Sequence, residues 1–140
     1  MTSAAILAPV FVNILLTFAL LILTGRKRVA AVKARQVRIS DIALGQRNWP
    51  AEVAQVSNSF DNQFQLPVLF YALTAFVMIT NKANLTFVIL SWIFVATRIL
   101  HAWVYVTSNN IRYRFRNFLA GAIVLMIMWT VFGLQLIDLI

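Results

Sequence analysis

The sequence predicts an all-α integral membrane protein, a bundle of four transmembrane helices, and three observations lead there. Hydrophobic residues make up 61% of the chain and charged residues 11%, with a mean hydropathy of +0.83. That is too apolar for a soluble domain, which must clothe its surface in polar groups. Apolar runs recur four times, at roughly 5–23, 60–80, 85–107 and 118–137, each close to the ~20 residues that cross a bilayer as a helix. Basic residues gather between the first and second runs and again between the third and fourth, whereas the link between the second and third offers only Lys82. All 140 residues are read as one membrane domain.

The first run, within MTSAAILAPVFVNILLTFALLILTG, lacks the basic residues that precede the apolar core of a signal peptide. It is expected to be retained as a helix and to end at Thr24-Gly25-Arg26. A basic loop over about 24–57 follows, with Arg26, Lys27, Arg28, Lys33, Arg35, Arg38 and Arg47. It is neither Gly/Ser-rich nor strongly apolar. Arg28, Lys33, Arg35 and Arg38 are placed to anchor a helical extension at anionic headgroups, followed by a turn around Gly45 and a new helix near Pro50.

The second run opens on SNSFDNQFQLPVLFY, with Asn58, Asp61, Asn62 and Gln65 on one helical face and Ser59 and Gln63 on another. Polar groups are costly against lipid, so this half of the span belongs inside a bundle. The third run carries RILHAWVY, where Arg98, His101 and Tyr105 fall on one stripe of a helix. Arg98 sits near mid-span, where an arginine costs about 2.5–3.5 kcal/mol on insertion scales. Asp61 is the carboxylate available to it from within a span, unless Asp138 at the far end of the fourth is counted. A pair between Asp61 and Arg98 across the second and third helices is therefore expected, serving as part of a site or as interhelical glue. The fourth run follows Asn109-Asn110 and the alternating Arg112, Arg114 and Arg116. With Arg98, His101 and Tyr105 these define a polar track from mid-span to the mouth, suited to an anion held by forked guanidinium hydrogen bonds.

Twelve Lys and Arg against four Asp and Glu give a formal charge of +8. Beside apolar spans such an excess reads as topology and lipid contact, not nucleic-acid binding. The positive-inside rule puts both basic loops in the cytoplasm and both termini on the opposite side. There is no cysteine, which removes thiol nucleophiles, disulfides and cysteine-ligated metals, and a lone histidine without clustered carboxylates argues against any metal site. A lone histidine such as His101 is more often a hydrogen-bonded packing residue than a ligand.

The pattern Arg98-x-x-His101-x-x-x-Tyr105, followed nine residues later by Arg114, resembles the third helix and the start of the fourth in the membrane-associated proteins in eicosanoid and glutathione metabolism. This MAPEG family includes microsomal glutathione transferases, prostaglandin E synthase and leukotriene C4 synthase. Thr24-Gly25-x-x-Arg28 is similar to the end of the family's first helix, and Gln63-x-x-x-Pro67 is placed like its Glu-x-x-x-Pro. The resemblance spans nearly the whole chain. It implies a homotrimer of four-helix protomers, with glutathione between neighbouring subunits and open to the cytoplasm. It implies glutathione contacts at Arg28, Tyr105 and Arg114, and a catalytic role for Arg114 in favouring the thiolate.

The sequence departs from the family pattern on the second helix, where Ser59 and Phe60 replace the usual Arg and Asn and Gln63 replaces the Glu. A neutral amide cannot form an ion pair. Asn58 and Asn62 are expected to compensate, joining Gln63, Arg98 and His101 among the cofactor-binding residues. Phe115 and Phe118 stand where some members carry serine and tyrosine. The expected activity is a glutathione-dependent transferase or peroxidase acting on lipophilic electrophiles drawn from the bilayer. The alternative is a non-enzymatic small membrane transporter or lipid-binding structural oligomer, for which Asp61 would have to act as the intramembrane carboxylate.

Overall fold

The computed structural model describes residues 2–45 and 48–137, so Arg47 and Asp138 lie outside the described residues. Five helices follow in order: α1 (Ser3–Lys33), α2 (Ala51–Asp61), α3 (Leu66–Ile79), α4 (Leu85–Val106) and α5 (Ile111–Leu136). No strand occurs among the described residues. Helix α1, the α2–α3 stretch Ala51–Ile79, α4 and α5 are each long and apolar enough to cross a membrane.

Helix α1 runs past Thr24-Gly25-Arg26 as the expected helical extension, but only to Lys33, so that Arg35 and Arg38 lie beyond its end. Arg, Lys and Ala are good helix formers, and one exposed glycine is too weak a breaker to end a helix of this length. It ends instead where Arg35 adopts φ 54°. There the Gln36 N–H donates to the Ala31 carbonyl and the Arg35 N–H to that of Val32, each at 3.0 Å, the paired bonds of a Schellman motif. Val37 then turns back onto Ala31 and Val53 in a small apolar cluster. Gly45, at φ +77°, supplies the turn before Trp49, and Pro50 precedes the first residue of α2.

The second span is broken in its middle. A 3₁₀ turn over Asn62–Phe64 separates α2 from α3, and Gln65 takes φ −101° and ψ −104°. The cause is Pro67, at the second position of α3: it lacks the N–H that a continuous helix would donate to Gln63 and restricts the residue before it. Asparagines punctuate the remaining ends. Asn81 and Asn109 take positive φ, while Asn84 accepts from the Phe87 N–H at 2.9 Å and Asn110 from the Arg112 N–H at 3.0 Å. These are ordinary uses of a short amide side chain at helix termini.

The bundle has two unlike halves. Ile6, Phe70, Leu73, Phe94, Leu125 and Met128 belong to an apolar core in one half. Towards the end carrying the basic residues the buried set turns polar: Ser57, Ser59, Gln63, Arg98 and His101. Helix α4 packs most extensively against α5. Gly121 permits this approach, since a Cβ there would stand 2.7 Å from Thr97 Oγ1. Large apolar side chains such as Phe11, Leu15, Trp103 and Met126 point outwards. Against hydrocarbon this exposure carries no penalty, so cohesion rests on close packing and interhelical hydrogen bonds.

Candidate functional site

Arg98 is fully buried, and its Nη2 donates to Asn62 Oδ1 on the 3₁₀ turn between α2 and α3. The Asn62 amide is oriented by its own Nδ2, which donates to Gln65 Oε1 at 2.7 Å. The break in the second span thus presents the Asn62 side-chain oxygen to the cation on α4. Arg98 Nε and Nη1 have no hydrogen-bond partner among the described residues. Tyr71 lies within electrostatic reach of Arg98, and its hydroxyl accepts from Asn13 Nδ2 of α1 at 2.8 Å. Residues of the first and second spans therefore meet α4 around one buried guanidinium and its neighbours.

The expected pair between Asp61 and Arg98 is not formed. Asp61 is exposed and lines a different cavity, while Asn62, one residue and about 100° further round, faces Arg98. A neutral amide, not a carboxylate, meets the buried charge.

Towards the basic end, His101 and Tyr105 continue the α4 stripe and Arg114 comes in from α5. His101 Nδ1 lies 3.0 Å from the Arg114 carbonyl oxygen, so Nδ1 carries the hydrogen of that bond. In the neutral ring Nε2 is then an acceptor, and it is buried without a partner among the described residues. The Arg114 guanidinium carbon lies 3.9 Å from the centre of the Tyr105 ring, a cation–π arrangement. Arg114 Nη1 donates to Asn109 Oδ1 at 2.6 Å. Gln55 of α2 secures the end of α4 by donating from Nε2 to the Tyr105 carbonyl oxygen at 2.7 Å.

Asn62, His101, Tyr105 and Arg114, with Ile111, Phe115 and Phe118, line a cavity of about 230 Å³. One side of it is cationic and hydrogen-bonding and the other is aromatic and apolar. No carboxylate pairs with Arg114 or Arg98 among the described residues; Glu52 and Asp41 are engaged by Lys27 and Arg38. The cavity therefore has a positive field without an internal counterion, which favours an anionic occupant.

The other expected site residues fall elsewhere. Arg28 donates to Ser57 Oγ at 3.1 Å and stacks over Trp49 at 5.2 Å. With Asn58, Ser57 and Asp61 it lines a second cavity of about 290 Å³. Gln63 is buried outside both, donating to the Ser59 carbonyl at 3.4 Å. Arg112 and Arg116 are exposed and line neither cavity, so of the three alternating arginines only Arg114 turns inward. Residues that the sequence did not single out for the site are Asn109 and Gln55, which hold Arg114 and the end of α4. Asn109 was legible only as part of the Asn109-Asn110 pair that ends the third span, and Gln55 carried no signal.

A sequence model of the MAPEG family matches residues 6–134, almost the whole chain. The chain belongs to the MAPEG family. No curated protein and no solved structure matches it. The MAPEG family includes glutathione transferases and peroxidases and eicosanoid synthases, and membership together with four apolar spans makes this a multi-pass membrane protein.

Proposed function

We propose that this MAPEG protein is a membrane-bound glutathione-dependent transferase or peroxidase acting on lipophilic electrophiles, with Arg114 stabilising the thiolate. The single observation that carries this reading is the Arg114 guanidinium, held on Tyr105 and Asn109 at a cavity without a carboxylate. A thiol of pKa about 8.5 is mostly protonated at neutral pH, and a nearby cation favours its ionised form. The thiol proton leaves to solvent. The thiolate sulfur then bonds to the electrophilic carbon as the leaving group departs with its electron pair. In the peroxidase form it attacks the terminal oxygen of a hydroperoxide and breaks the O–O bond: the sulfur is oxidised to the sulfenic acid, the departing alkoxide takes a proton from solvent to become the alcohol, and a second glutathione reduces the sulfenic acid to glutathione disulfide and water.

The functional unit in this reading is a homotrimer with glutathione held between protomers. Each protomer offers two part-sites, one with Arg114, Tyr105, His101 and Asn62 and the other with Arg28 and Asn58. At about 230 and 290 Å³ both fall below the ~300 Å³ at the lower end of small-molecule pockets. Two part-sites from adjacent protomers would together suit a tripeptide. Arg98 acts from behind Asn62 as a source of positive potential, and Gln63 as a neutral support of the α2 turn. The apolar wall of Ile111, Phe115 and Phe118 supplies the contact for a substrate arriving laterally from lipid. Both basic loops face the cytoplasm and both termini the opposite side.

The transporter alternative is less well supported, because no carboxylate is buried in the bundle among the described residues. Purified protein should turn over a chromogenic electrophile with glutathione, and Arg114→Ala should lose on the order of tenfold or more in kcat/KM, the loss of about 1.4 kcal/mol of transition-state stabilisation. Equal rates would remove Arg114 from the chemistry. Absence of glutathione binding by calorimetry would remove the cofactor.

A further inference from the structure

One face of α1 combines an apolar track with unpaired cations. Phe11, Leu15, Phe18 and Ile22, then Arg26, Val29 and Lys33, are all exposed, and at 100° per residue they fall within about 80° of one another. From Phe11 to Ile22 the helix rises about 17 Å, close to the ~15 Å hydrocarbon depth of one leaflet. Beyond Ile22 the same face passes into a shallow, open recess formed by α1 alone, lined by Arg26 and Lys33 with Gly25, Val29 and Ala30. The small residues leave the room between Arg26 and Lys33, which stand about two helical turns apart on this face. Arg26 and Ala30 also line a larger groove of about 870 Å³ between the end of α1 and the start of α2.

The charge there is not neutralised from within. Lys27 is paired with Glu52 at 3.4 Å, whereas neither Arg26 nor Lys33 makes a side-chain hydrogen bond or ion pair among the described residues. We infer that this recess binds the headgroup of an anionic glycerophospholipid, its phosphate between Arg26 and Lys33 and an acyl chain along Ile22, Phe18 and Leu15. A soluble anion would use the cations but not the track leading to them, and a zwitterionic lipid would bring its own positive charge to the recess. The inference is independent of the glutathione reading.

The test is native mass spectrometry of the detergent-purified full chain, titrated with phosphatidylglycerol or phosphatidylcholine. At roughly fivefold per basic residue near a headgroup, phosphatidylglycerol should be preferred on the order of 25-fold. The preference should vanish in Arg26→Gln/Lys33→Gln and persist in Arg26→Lys. It should also persist in Arg112→Gln/Arg116→Gln, which removes two exposed charges elsewhere. Circular dichroism should show all variants equally helical, as expected for exposed positions. The inference is overturned by equal binding of the two lipids or by a preference that survives in Arg26→Gln/Lys33→Gln. Equal loss in the α5 variant, or binding of glycerol phosphate as tight as that of phosphatidylglycerol, would overturn it as well.

Discussion

Arg114 at the start of α5 lies against the face of Tyr105 near the end of α4, its guanidinium carbon 3.9 Å from the ring centre. The ring fixes where the charge stands and leaves the guanidinium without a carboxylate, and the proposed thiolate chemistry needs both. Because the π face does the holding, Tyr105→Phe should keep kcat/KM within about twofold. Tyr105→Leu should lower it roughly 2- to 30-fold, the range of a cation–π contact of about 0.5–2 kcal/mol. Steady-state kinetics on the two variants distinguishes this from a role for the hydroxyl, in which the phenylalanine variant would fare as badly as the leucine one.

Asn62 offers a way to separate stability from ligand binding. Replacing its amide with a carboxylate gives buried Arg98 a charged acceptor in place of a neutral one. Asn62→Asp should therefore fold at least as stably as the wild type, since it sets a full opposite charge beside a buried guanidinium, where Coulomb attraction is stronger than in water. The same negative charge lies at the wall of the cavity and should weaken an anionic ligand on the order of tenfold. Thermal melting and calorimetry on the one variant check both halves. Asn62→Leu, which leaves the guanidinium without its acceptor, should instead cost about 1–3 kcal/mol of stability.

Gly121 is where α5 comes closest to α4. A methyl group there would meet Thr97 Oγ1 at 2.7 Å, and that oxygen is already held by its bond to the Phe94 carbonyl. Gly121→Ala should destabilise by about 1–3 kcal/mol through overpacking. Thr97→Ala removes the obstructing oxygen, so the double variant should recover most of the loss. A double-mutant cycle by denaturation in detergent would show the coupling.

Arg35 closes α1 from the left-handed region at φ 54°, a conformation that costs a residue with a Cβ about 1 kcal/mol relative to glycine. Arg35→Gly should raise stability by up to about 1 kcal/mol, seen as a higher melting temperature. No loss of catalytic activity should accompany it, because Arg35 lines neither site cavity.

What is legible in the sequence is whatever depends on the run of apolar residues and on local chemistry at helix ends. The four spans follow from hydropathy, and Asn81, Asn109 and Asn110 mark real termini, whereas the cap at Asn84 is seen only in the structure. The end of α1 lies about nine residues beyond Thr24, at Lys33, because a change from apolar to basic residues is not a change from helix to loop. A helix leaving the membrane keeps its backbone when its residues still favour it. The stripe of Arg98, His101 and Tyr105 is visible from spacing alone. The partner of Arg98 is not, since choosing between Asp61 and Asn62 requires the rotation of α2 at its break, which Pro67 and the 3₁₀ turn set together. Nor can periodicity show that Arg28 and Asn58 occupy a separate cavity from Arg114, because that depends on how α1 and α2 lie against each other.

Nothing probes the proposed chemistry more closely than the ionisation state of glutathione bound to the purified protein, read by ultraviolet difference absorbance of the thiolate at neutral pH. A thiolate signal should saturate with glutathione in the wild type and be absent from Arg114→Ala at matched occupancy. A bound thiol that stays protonated in the wild type, or a signal equally strong without the Arg114 guanidinium, would refute the assignment of Arg114 to thiolate stabilisation.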